Sequence, residues 1–99
     1  MSSYIEGKLI IGTRSENVAN SVEELYSKLD STSELMIFGQ EFEGSFEFTY
    51  IGYALENNEE YALVFNDLNN FEEEIKKLKN KFKKKFNIEP YLISTFYRY

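Results

Sequence analysis

The stretch from Glu34 to Phe65, ELMIFGQEFEGSFEFTYIGYALENNEEYALVF, most constrains what this chain can fold into. It reads as three strand-like segments separated by two turns. The clearest signal lies in its middle, where Phe46, Phe48 and Tyr50 alternate with Glu47 and Thr49. A period of two over such residues argues for a strand with one buried face. The spacing predicts strands over 35–42, 45–55 and 61–65. Gly44 permits a tight turn between the first two, and Glu56-Asn57-Asn58-Glu59 is a turn by composition. Beyond Tyr50 the alternation blurs through Ile51, Tyr53 and Leu55, so both faces of the sheet carry apolar material.

The segments on either side supply two helices and two further strands. Residues 4–11 read as a strand packed through Tyr4, Ile5, Leu9, Ile10 and Ile11. Gly7 suggests a bulge or a close backbone approach there, and Gly12-Thr13 marks the exit. A helix follows over 16–29, where Val18, Val22, Leu25 and Leu29 are spaced by 4, 3 and 4 residues. Ser15 can cap it, and Ser21 with Glu24 matches a capping box, so two starts are open. The second helix carries the stripe Leu68, Phe71, Ile75, Leu78, Phe82 and Phe86, with Asn69 and Glu72 placed to cap it. Glu72 to Lys76 and Glu73 to Lys77 have the favourable spacing for ion pairs. Asn87 ends this helix and Pro90 prevents its continuation. A last strand is expected over 91–99.

The expected fold is α+β: one domain over 1–99, with an antiparallel sheet of four to five strands and two helices on one face. The order β-α-β-β-β-α-β makes it a variant of the ferredoxin-like layout. Two helices cover only one face of such a sheet. The other face, or one edge, should stay rich in Tyr and Phe, and an exposed apolar patch of that kind suggests a homodimer.

Ninety-nine residues allow one core and leave little room for a deep cleft. Histidine and cysteine are both missing. This rules out disulfides, thiolate nucleophiles, zinc sites built on those ligands and a histidine general base. No apolar run approaches the ~20 residues that span a bilayer. The start MSSYIEGK lacks the basic flank and apolar core of a signal peptide, so an intracellular protein without membrane attachment is expected.

Charge is unevenly spread. Seven of the eleven basic residues are Lys76, Lys77, Lys79, Lys81, Lys83, Lys84 and Lys85; the 89 residues outside the stretch 76–85 carry 4 basic against 17 acidic groups, a balance of −13. Such a field favours a basic partner over nucleic acid.

Four constellations follow from these residues. If the 35–42 and 45–55 strands pair around Gly44, Glu41 and Glu47 stand opposite each other with Glu43 beside them. Like charges placed so are destabilising, which suggests a use in partner binding. The bland alternative is that they splay into water. Glu56, Glu59 and Glu60 extend the acidic set. The lysine run could grip phosphates over ~15 Å, although a solvated face that complements the helix dipole explains it as well. Lys83, Lys84 and Lys85 have no evident glutamate partner. The strand aromatics could stack bases, but the RNA-recognition signature is missing and glutamates stand where phosphates would pass. No oxygen-ligand loop and no phosphate-cradling glycine loop occurs, so neither metal nor cofactor is expected.

The layout, the acidic body and the histidine- and cysteine-free composition resemble the type I-D anti-CRISPR family of archaeal rod-shaped viruses. The segments that carry the likeness are IIGTRSENVANSVEELYSKL, FEFTYIGYALENNEEYALVF and ISTFYRY. The resemblance implies a small dimeric viral protein, without catalysis, acting in the host cytoplasm. It would bind and block the large Cas10-like subunit of the interference complex. The alternative reading is a small dimeric nucleic-acid-binding accessory or regulatory protein that uses Lys83, Lys84 and Lys85.

Overall fold

The structure is a computed structural model and describes residues 5–29, 34–40, 45–55 and 68–98. In chain order they form β1 (Ile5–Arg14), a 3-10 turn (Ser15–Asn17), α1 (Val22–Ser27), β2 (Leu35–Gly39), β3 (Thr49–Ala54), α2 (Leu68–Phe86) and β4 (Tyr91–Arg98). The four strands make one antiparallel sheet in the order β2-β3-β1-β4. The expected α+β class therefore holds, with four strands and two helices. The strand expected over 61–65 lies outside the described residues.

β1 runs three residues beyond its expected end. Gly12 and Thr13 do not leave the sheet, because they pair with Gly52 and Ile51 of β3. Gly7 is no bulge: it sits in an unbroken register with β4, opposite Phe96, and a side chain there would meet nothing within 4 Å.

The expected first helix splits. Its first part is the 3-10 turn, and α1 proper starts after Ser21, whose hydroxyl accepts the Glu24 N–H at 3.1 Å. Of the two possible starts the capping box at Ser21 wins. The Glu24 carboxylate reaches back to the Asn20 N–H, one residue beyond the usual partner.

β3 begins at Thr49, not Ser45. The Thr49 N–H donates to the Phe46 carbonyl at 3.0 Å, so residues 46–49 form a turn. The alternation of Phe46, Phe48 and Tyr50 is accordingly not one strand face: Phe46 packs on the core while Phe48 is 64% exposed. β2 stops at Gly39, where φ is +89° and a Cβ would run into the Phe48 carbonyl.

α2 is already helical at Leu68, so Asn69 is not its cap. Its end is as expected. Asn87 adopts φ +56° and donates its N–H to the Lys83 carbonyl at 2.8 Å, an αL cap.

One core lies between the helices and the sheet. Leu35, Ile51 and Tyr53 from the strands meet Ala19 and Leu25 and, from α2, Phe82, with Leu78, Phe86 and Ile88 packed around them. Phe82 is fully buried, edge-on to Tyr53 at 6.4 Å and tilted against Phe86 at 4.7 Å.

The opposite face is not left open. Ile10 and Phe38 point to it, and both are buried. β2 and β4 share no ladder yet pack together, and Phe38 meets Tyr97 edge-on at 6.0 Å. The sheet therefore coils onto itself until its two outer strands touch.

Gly12 and Gly52, paired across β1 and β3, permit that coil. A Cβ on either would strike the partner strand's backbone, including the other glycine's Cα at 2.7–2.8 Å. Strongly coiled sheets need this kind of bare contact.

Candidate functional site

Of the acidic set only Glu47 is placed by the structure; Glu41, Glu43, Glu56, Glu59 and Glu60 lie outside the described residues. Glu47 is exposed in the turn before β3, where its N–H donates to the Ser45 hydroxyl at 3.2 Å. The β2–β3 register runs from Leu35 opposite Tyr53 to Gly39 opposite Thr49, so its midpoint is Gly44, as expected from the sequence.

The lysines of α2 are engaged differently from the expectation. Glu72–Lys76 and Glu73–Lys77 are not among the ion pairs of the described residues. The partners come instead from outside the helix. Once Asn87 turns the chain back, Glu89 reaches Lys79 at 2.8 Å and Lys83 at 3.0 Å, two cations one helical turn apart. Hydrogen bonds from these ammonium groups hold the Glu89 carboxyl below its usual range. Lys81 pairs with Glu34 at the start of β2 and lies 4.9 Å over the Tyr53 ring. Lys83, expected to lack a glutamate, therefore has one. The signal was in the sequence, as Glu89 follows the helix stop, but a helical-spacing search finds only partners on the helix. Lys84 and Lys85 are exposed beside it.

Two clefts accompany these features. The first, about 470 Å³, lies between α2 and the sheet, and its rim carries Lys8, Lys77 and Lys81 against Glu34 and Glu74. Its charges largely offset one another, three lysines against two glutamates.

The second, about 500 Å³, opens where β4 parts from β1; Arg14, Asn17, Tyr50, Tyr91 and Leu92 line it. The sequence did not point to these residues as a site. They come together because β1 pairs with β4 only as far as Gly12 opposite Tyr91, but with β3 as far as Arg14 opposite Tyr50.

A buried polar cluster adjoins the cleft through Thr13. Thr13, Ser15 and Thr49 are buried polar residues; the Thr49 and Ser15 hydroxyls are hydrogen-bonded at 2.7 Å, and the Asn17 amide donates to the Thr13 hydroxyl at 2.8 Å. At its rim Tyr91 is 64% and Leu92 52% exposed.

No protein-family model, no curated protein and no solved structure matches this chain. No described helix is long and apolar enough to cross a membrane.

Proposed function

We propose that this protein is a viral anti-CRISPR inhibitor that works in the host cytoplasm as a homodimer and without catalysis. It binds the large Cas10-like subunit of a type I-D interference complex through its acidic surface and blocks it by occlusion. The kind of target comes from the layout resemblance. The choice between a protein partner and nucleic acid rests on one observation: three of the seven lysines of the most basic helix are tied to carboxylates of its own chain. Glu89 spans Lys79 and Lys83, and Glu34 takes Lys81. A helix used in this way offers phosphates a weaker stripe than its sequence suggests, while the chain outside the helix carries 14 acidic against 4 basic groups, a balance of −10. This ranks nucleic-acid binding through Lys83, Lys84 and Lys85 second.

The test is capture of partners by the tagged chain in cells carrying type I CRISPR systems, with nuclease treatment before elution. Retention of the large subunit after nuclease supports the reading. Loss of every partner with the nucleic acid rejects it in favour of the lysine alternative. Reversal of Glu41, Glu43 and Glu47 to lysine is expected to weaken capture of the subunit. Unchanged affinity would remove the role of that patch.

A further inference from the structure

We infer that the cleft between β1, β3 and β4 is a binding site for a phosphomonoester joined to a planar ring, the chemistry of a nucleoside monophosphate. Its lining combines one cation with two tyrosines and no carboxylate. A guanidinium is the side chain best fitted to a phosphate, and tyrosine faces stack on heteroaromatic rings. Arg14 and Tyr50 are cross-strand partners and share one side of the sheet; Tyr91, opposite Gly12, is on that side two positions earlier. Tyr50 and Tyr91 thus flank β1 from its two neighbouring strands, roughly 12 Å apart at the usual strand spacing and rise.

Size and charge narrow the ligand. A cleft of about 500 Å³ falls in the range that holds one small molecule. A net charge of −6 opposes a long polyanion but tolerates a single phosphate at a local cation. The site is also preformed, since the buried Ser15–Thr49 bond and the Asn17–Thr13 bond fix the turn that carries Arg14 and Asn17. Glu16 stands 3.6 Å from the Arg14 guanidinium, and both side chains are exposed. A phosphate would displace this loose partner, so Glu16 acts as a competitor for the site.

The experiment is an amide NMR titration of the full chain with adenosine 5′-monophosphate, alongside adenosine and inorganic phosphate separately. Saturable shifts centred on Arg14, Asn17, Tyr50 and Tyr91 are expected, with both fragments binding more weakly than the nucleotide. Arg14→Ala should weaken binding about tenfold or more, the usual effect of losing a charge-assisted bond. Tyr91→Ala should weaken it several-fold, and Glu16→Gln should tighten it. All three side chains are exposed, so the variants keep the fold. A 5′-phosphorylated trinucleotide separates the two sources, and either result upholds the site: equal affinity assigns a strand end, weaker binding the free nucleotide. No saturable shift at millimolar nucleotide overturns the proposal. So do shifts confined to the α2 lysines, or an Arg14→Ala protein that binds as well as the wild type.

Discussion

On the helix-covered face Phe82 of α2 reaches down to Tyr53; on the other face Phe38 of β2 reaches across to Tyr97 of β4, a strand of the same sheet. Both phenylalanines are fully buried, yet the means differ. The first face is covered by separate elements whose apolar stripe is laid out at helical spacing. The second is covered by the sheet itself, and it needs no covering element, only two glycines that let neighbouring backbones close up. An apolar sheet face without a helix is therefore not necessarily an interface; coiling can bury part of it.

The sharpest way to break this comparison is to deny the coil its glycine contact. Gly12→Val places side-chain atoms against the backbone of Ile51 and Gly52. We expect a loss above ~4 kcal/mol, enough to leave the chain largely unfolded in denaturant titrations. Gly7→Val, with open space at its Cβ, should cost far less. Equal losses would refute the coiling role of the pair.

Truncation of the two buried rings comes next. Phe38→Ala and Phe82→Ala should each cost ~3–5 kcal/mol in the same measurement. A Phe38→Ala protein of near wild-type stability would mean that the self-covered face contributes little.

A smaller effect is expected below the cleft. Thr49→Val removes the hydroxyl that bonds Ser15 and should cost ~1–3 kcal/mol. Thr49→Ser, which keeps the hydroxyl, should recover most of that loss.

The smallest effect belongs to the Lys79–Glu89–Lys83 clamp. The folded-state pKa of Glu89 is depressed, so its contribution is present above the ordinary carboxylate value of 4.5 and is lost as pH falls through the lower folded-state value. Stability of the wild type should therefore drop more steeply in that window than that of Glu89→Gln. Added salt should shrink the difference, because the groups are exposed. Parallel acid profiles would show that the clamp is decorative.

The reach of sequence reading differs between these regions for one reason. α2, its stop at Asn87 and the register centred on Gly44 were legible because each depends on residues close in sequence. The break in the first helix was half legible: the capping box at Ser21 was visible, but nothing local chose it over Ser15. That choice rests on Ser15 being buried against Thr49, 34 residues away. The strand over 45–55 misled because Phe46, Phe48 and Tyr50 alternate, while the backbone bond from Thr49 to Phe46 makes a turn there. The candidate sites divide likewise. The lysine run could be seen at once, but its carboxylate partners could not, since Glu34 and Glu89 reach it only through the fold.

By itself the sequence determined an α+β chain with two helices on one sheet face, an acidic balance, and the loss of all chemistry that needs histidine or cysteine. These follow from composition and from periods of two and 3.6, which act over a few residues. Only the tertiary structure decided that the second face closes on itself, that Glu89 and Glu34 hold three of the lysines, and that Arg14, Tyr50 and Tyr91 share one cleft. Each of those outcomes depends on how far strands twist and where a ladder ends, and no local pattern encodes either.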